Sequence, residues 1–272
     1  MAPEAFFLTV ADAPHPQRFC LYHAPAGSAH GAVLYLHPFA EEMNKARRMA
    51  ALQARLLAEN GYAVLQIDLH GCGDSSGDFG AATWESWLAD VHAAHAWLRA
   101  RCPAPAPLWL WGLRSGCLLA ADAARRSGTP VNFLFWQPVV SGKQYLQQFL
   151  RLKVAGAMMG GESKGVMETL KAQLAAGQVV EIAGYALSAG LARGLESAEL
   201  SPPARSGRLH WLEVSARPET TLAPASQKRI EQWRAAGCAA GSAVLPAPTF
   251  WQTTEIEEAP ALLDATLAAL RS

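Results

Sequence analysis

Leu108-Trp109-Leu110-Trp111-Gly112-Leu113-Arg114-Ser115-Gly116 carries a strand, a sharp turn and the start of a helix within nine residues. The run from Leu108 to Gly112 has the continuous apolar character of a strand buried on both faces. From Gly116 to Arg126 the sequence is alanine-rich and helical, and Gly128 closes it. Glycines at 112 and 116 bracket the junction, and the residue at its tip is Arg114.

The same unit recurs on both sides. Phe6–Val10 and Arg18–His23 read as a first strand pair, antiparallel at one sheet edge, and Ala32–Leu36 as a buried strand. Met43–Glu59 has helical spacing and stops at Asn60-Gly61. Ala63–Leu69 and Val131–Trp136 are further strands, with a helix over Trp84–Arg101 between them. After residue 204 the alternation resumes: strand Arg208–Val214, helix Pro224–Ala236, strand Ala243–Leu245, helix Pro260–Leu270. Strand–helix alternation with short connections implies a doubly wound, mostly parallel sheet of about eight strands. Residues 140–203 break the pattern. They are helical but glycine-interrupted (AGAMMGGESKG), with a short β-like piece near Val179–Ile182 and an exit at Pro202-Pro203. An insertion there lies at the carboxyl end of the sheet, where open α/β sheets bind ligands. It is expected to form a lid on a core made of 1–139 and 204–272.

Composition narrows the function. Of 272 residues, 51% are hydrophobic and 17% charged, enough to bury a substantial core. Lys+Arg and Asp+Glu both number 23, and no basic run tracks a phosphate backbone, so nucleic acid is not an expected partner. The start MAPEAFFLTVADA has an acidic residue and no basic one before its short apolar run, unlike a secretory signal. No run reaches the roughly 18 apolar residues of a membrane span. The five cysteines are scattered without a CxxC pair, as expected of reduced thiols in a cytoplasmic bacterial protein. No metal or cofactor is expected, since no His/Cys/carboxylate group has ligand spacing.

Three loops at strand ends resemble the α/β-hydrolase plan. His37-Pro38-Phe39 is similar to its His-Gly-x turn, which implies that Phe39 lends a backbone N–H to an oxyanion hole. Asp68-Leu69-His70-Gly71-Cys72-Gly73-Asp74-Ser75 resembles its DxxGxGxS turn, in which the aspartate is structural. Gly112–Gly116 aligns with the nucleophile elbow G-x-S-x-G. More closely, HPFAEEMNKARRM (37–49), DLHGCGDSSGDF (68–79), GLRSG and FWQTTEIEEAP (250–260) resemble the bacterial exosortase A system-associated hydrolase 2 family over nearly the whole chain. That resemblance implies a hydrolase of ester or thioester bonds.

The catalytic residues of such an enzyme are not at their stations. Arg114 stands where the nucleophile should, and a guanidinium is not a nucleophile at neutral pH. No histidine follows His210, and the loop after the last strand reads Ala247-Pro248-Thr249-Phe250-Trp251-Gln252-Thr253-Thr254-Glu255. Ser115 is one residue past the tip, where its backbone N–H rather than its hydroxyl faces an oxyanion. Cys72, Ser75 and His70 are weaker candidates, and His37 is more often structural than a base. An arginine in a pocket should have a carboxylate partner. Glu42 is the first choice and Glu255 the second, with Glu41 and Glu257 near them. Acids in a helix's first turn also have an ordinary explanation in the helix dipole, and Glu41–Lys45 in an i,i+4 pair. Lys45, Arg47 and Arg48 with Arg114 would draw an anion to the pocket mouth.

The candidate site is therefore Arg114, Ser115 and Glu42 for any chemistry, Phe39 and Ser115 for the oxyanion hole, and His37, Arg114, Glu255 and Trp251 for binding a small molecule. Two functions compete. As a class the resemblance implies an acyl hydrolase with a rearranged site. The elbow chemistry taken alone favours a non-catalytic relative that binds an anionic or sugar-related ligand, or a partner protein.

Overall fold

The computed structural model describes residues 2–103, 105–159, 165–217 and 221–271. Residues 160–164 of the glycine-interrupted stretch lie outside them. Eight strands form one sheet in the order β1-β2-β4-β3-β5-β6-β9-β10. Strands β1 (Glu4–Thr9) and β2 (Gln17–His23) are the antiparallel edge. The other six are parallel: β3 (Gly31–Leu36), β4 (Tyr62–Ile67), β5 (Leu108–Leu113), β6 (Val131–Trp136), β9 (Ser206–Ser215) and β10 (Ala239–Pro246).

Side chains alternate across the sheet, as the two-residue period of a strand demands. In β3, Leu34 and Leu36 face one layer while Val33 and Tyr35 face the other. In β5, Leu108 and Leu110 oppose Trp109, Trp111 and Leu113 in the same way. Helices α2 (Trp84–Arg101), α3 (Ser115–Ser127) and α7 (Pro224–Ala235) cover the first face; α1 (Glu41–Glu59) and α8 (Pro260–Arg271) cover the second. Their ends follow from local chemistry. Thr83 and Ser86 form a reciprocal capping box at the start of α2, and Gly128 takes a left-handed conformation to end α3.

The inserted region contains α4 (Gly142–Met159), α5 (Val166–Ala175), a hairpin of β7 (Val180–Ile182) and β8 (Tyr185–Leu187), and α6 (Ala189–Ser197). Sequence reading found only the first strand of that hairpin: both strands are three residues long, but β7 lies in the β-branched run Val179-Val180-Glu181-Ile182, whereas Tyr185-Ala186-Leu187 has no β-branched residue. Much of this region is core: Leu187, Leu191, Leu195 and Leu200 are fully buried.

Arg18 on β2 and Asp90 on α2 form an ion pair at 2.6 Å with both side chains out of solvent, 1% and 0% exposed. It ties the antiparallel edge to the helix layer. Five histidines, His23, His37, His70, His95 and His210, have their pKa lowered, each chiefly by burial. They are neutral in the fold and titrate near 6.5 when unfolded, so the stability they contribute is present above that pH. It is lost as pH falls towards their folded values. Asp90 acts against them, since burial pushes its carboxyl up to about 6 and the fold takes up that proton in the same window. With five histidines against one carboxyl, melting temperature is expected to fall between pH 6.5 and 5 and to hold between pH 7 and 8; a rise through the acid limb would refute the neutral-histidine assignment.

Candidate functional site

Strand order places the site. After β3 the chain adds β4 on one side, then returns to add β5 on the other, so the carboxyl ends of β3 and β5 flank the point where winding reverses. Ligands in open α/β sheets bind in the crevice at such a point. Two helices begin there, α1 after β3 and α3 after β5.

Both starts are strained. Ala40 precedes α1 at φ 49°, ψ −130°, and Arg114 precedes α3 at φ 54°, ψ −117°. For residues other than glycine such conformations cost about 1–3 kcal/mol and persist where the surroundings over-determine them. At Arg114 they do. Its N–H donates to the Trp136 carbonyl at 3.0 Å, and its own carbonyl accepts from Cys117 N at 3.1 Å and Val139 N at 3.3 Å. The flanking glycines permit the crowding: a Cβ at 112 would meet Cys117 N at 2.6 Å, and one at 116 would meet the Leu36 carbonyl oxygen at 2.2 Å. Backbone alone therefore makes an elbow, with arginine at its tip.

The Arg114 side chain enters a cavity of about 360 Å³ lined by Phe39, Glu42, Tyr145, Phe149, Trp251 and Gln252 among others. Its Nε donates to Glu42 Oε1 at 3.3 Å, with the two side chains 15% and 16% exposed. The guanidinium carbon lies 5.6 Å from the Tyr145 ring centre and 5.5 Å from that of Trp251, within cation–π range. The Tyr145 hydroxyl donates to Glu42 Oε2 at 2.7 Å. Its pKa is pushed well up by burial and by the Glu42 charge, with Arg114 and the Ser115 hydroxyl acting in the opposite direction. Glu41, beside them, accepts from the Tyr185 hydroxyl and Asn44, which lower its pKa. Lys45 Nζ donates to the Thr253 carbonyl at 2.7 Å.

The remaining sequence candidates fall in and around this cavity. Phe39 is buried and packs its ring on Phe149 at 4.8 Å. Ser115 is buried as the first residue of α3, whose leading N–H groups have no intrahelical acceptor. Trp251 is a cavity wall. The structure differs from expectation at two binding residues. His37 lies outside the cavity: its Nδ1 faces the Pro38 carbonyl at 2.8 Å and its Nε2 accepts from Leu69 N at 3.1 Å, so both ring nitrogens are spent on the turn. Glu255 is exposed and does not line the cavity, because the loop turns on Thr253, whose hydroxyl donates to the Glu255 carbonyl.

The other nucleophile candidates are structural. Ser75 Oγ accepts from Phe19 N, Cys72 is buried with its thiol pKa pushed up by burial, and His70 Nδ1 faces Ser86 Oγ at 3.1 Å. A second cavity of about 230 Å³ near α1 holds the Arg47–Asp68 pair, which also caps Asp74 N. Among the described residues no group of three or more His, Cys, Asp or Glu could hold a metal ion, and no helix is long and apolar enough to cross a membrane.

Sequence reasoning missed Tyr145, Gln148, Phe149 and Leu152, all from α4. Their spacing of three, four and seven residues puts them on one helical face, a signal present in the sequence but with no motif to point it at the elbow.

Comparison with known proteins agrees with this layout. Human Protein ABHD12B is 31% identical over 116 residues, covering 42% of this chain and 30% of that protein. Zebrafish lysophosphatidylserine lipase ABHD12 is 30% identical over 116 residues, covering 42% and 29%. The match thus spans less than a third of these relatives' length. A thermostable carboxyl esterase from Bacillus coagulans superposes with a TM-score of 0.65 at 12% identity, covering 100% of this chain and 97% of that one. A soluble variant of yeast (Saccharomyces cerevisiae) monoglyceride lipase gives 0.63 at 13%, covering 100% and 94%. At such identities these likenesses establish the α/β-hydrolase fold alone. The family described as serine aminopeptidase, S33 matches residues 27–183, more than half of the sequence, and the chain belongs to that hydrolase family.

Proposed function

We propose that this chain binds an acyl-type small molecule in the Arg114 cavity and does not cleave it by serine–histidine chemistry. The observation that carries this reading is the occupant of the elbow: a strained, backbone-pinned position holding a guanidinium paired with Glu42. Nucleophilic acyl transfer requires a nucleophile there and a base within hydrogen-bond reach. No described histidine lines the cavity. In this reading the backbone N–H groups of Phe39 and Ser115 take a carbonyl or carboxyl oxygen of the ligand; the burial of both residues beside the elbow supports it. Residues 140–203 serve as a lid, contributing Tyr145 and Phe149 to the cavity wall, on a core made of 1–139 and 204–272. Within the family we place the chain with the exosortase A-associated hydrolase 2 group, acting in the cytoplasm.

One observation favours a second reading, hydrolysis of an ester or thioester from Ser115. The Ser115 hydroxyl bears on Tyr145, whose hydroxyl donates to Glu42, a chain of groups leading from a serine to a carboxylate. A fluorophosphonate probe separates the two. The purified protein is expected to stay unlabelled at concentrations that saturate a serine esterase. Labelling that disappears in Ser115→Ala would establish the second reading.

A further inference from the structure

The cavity carries more hydrogen-bond donors than its own acceptors use. Glu42 spends one oxygen on Arg114 Nε and the other on the Tyr145 hydroxyl. Glu41 accepts from Tyr185 and Asn44. Arg114, by contrast, offers five N–H groups, and only Nε has a partner among the described residues. Its two Nη groups, the outward fork of the guanidinium, are unspent. Trp251, a wall of the same cavity and 3% exposed, turns its ring rather than a free donor towards the guanidinium. Among the described residues, Lys45 donates its hydrogen bond to the Thr253 carbonyl. What the cavity lacks is an acceptor with two oxygens in one plane.

The rest of the wall is apolar. Phe39, Phe149, Leu152 and the faces of Tyr145 and Trp251 surround the guanidinium. Leu152 is 51% exposed although it lies on the cavity side of α4. At roughly 30 Å³ for a group the size of water, a cavity of about 360 Å³ has room for a short hydrocarbon chain with its head group. A guanidinium fork matches a carboxylate in two parallel N–H···O bonds, and its rigid planarity is what an ammonium lacks.

We propose that the ligand of this cavity is an amphipathic carboxylate, an apolar chain of medium length whose carboxylate sits end-on against the Nη fork of Arg114. The inference rests on the non-hydrolytic reading above and narrows it: the cavity selects a free acid over the corresponding neutral molecule. No bond is made or broken. Glu42 orients the guanidinium through Nε and neutralises it in the empty cavity, while Tyr145 keeps the second Glu42 oxygen from competing for the fork.

Isothermal titration of the full chain with decanoate and with 1-decanol tests this. Decanoate is expected to bind at least tenfold more tightly than decanol. Arg114→Ala should abolish that preference, and Arg114→Lys, which keeps the charge and loses the fork, should weaken decanoate at least fivefold while circular dichroism confirms the fold. Equal binding of acid and alcohol, no binding of decanoate, or unchanged decanoate affinity in a folded Arg114→Lys would overturn the carboxylate assignment and leave the non-hydrolytic reading standing. Fluorophosphonate labelling that requires Ser115 would overturn that reading instead, whatever the titration gives.

Discussion

Asp90→Ala is expected to destabilise the protein by about 3–5 kcal/mol, the usual consequence of leaving one member of a buried ion pair uncompensated. Arg18 is 1% exposed, and without Asp90 its charge keeps only backbone carbonyl partners, those of His15 and Gln17. The His70 N–H, which donates to Asp90 Oδ2 at 2.7 Å, loses its acceptor as well. For a chain of this size each kcal/mol moves the melting temperature by roughly 2–4 °C, so the midpoint should drop by about 6–20 °C. The double variant Arg18→Met, Asp90→Leu should recover most of the loss, since well-packed apolar groups often replace a buried pair at little net cost. Urea denaturation followed by circular dichroism measures both. A loss below about 1 kcal/mol in the single variant, beneath the range for breaking a buried pair, would mean that water reaches Arg18 and the edge is looser than the fold implies.

The second large effect concerns rate. Arg114→Ser restores the family's usual residue type to an elbow whose backbone already has φ 54° and ψ −117°, yet it is expected to yield almost no esterase. His37 is spent on the Pro38 carbonyl and Leu69 N. His210 lies within β9, its ring stacked on Trp109 at 5.4 Å. With donors but no base, turnover of a p-nitrophenyl ester should remain on the order of 10³–10⁴ over water. That is about a millionfold short of a complete triad. Release of p-nitrophenol under single-turnover conditions gives the answer. A rate near the ordinary enzyme value of about 10 s⁻¹ would reveal a base that the geometry does not display.

Much of the architecture was legible before any coordinate. Buried parallel strands announce themselves as continuous apolar runs, so Ala32–Leu36, Leu108–Gly112 and Val131–Trp136 were read within a residue or so of β3, β5 and β6. Trp84–Arg101 coincides with α2, whose Thr83 cap and apolar spacing are both local signals. Strand β10 runs from Ala239, four residues before the expected Ala243. Its first residues, Ala-Ala-Gly-Ser, have weak strand preference and owe their conformation to pairing with β9. The second strand of the β7–β8 hairpin was missed for a related reason, since Tyr185-Ala186-Leu187 lacks the β-branched residues of β7 and owes its conformation to pairing with it.

The site divides along the same line. Sequence alone determined that an arginine replaces the elbow nucleophile and that no histidine follows His210, because identity and order are written in the chain. It also proposed Glu42 first and Glu255 second as the partner, beside an innocent explanation for Glu42 in the helix dipole. Only tertiary structure decided between them. Glu42 and Arg114 are 72 residues apart, and they meet because β3 and β5 are neighbours with helices starting at both ends. Tyr145, 103 residues from Glu42, joins them only because α4 brings one of its faces to the cavity. Local propensity acts over a few residues, whereas the order of strands in a sheet is settled by burial across the whole core, and the chemistry of this cavity depends on that order.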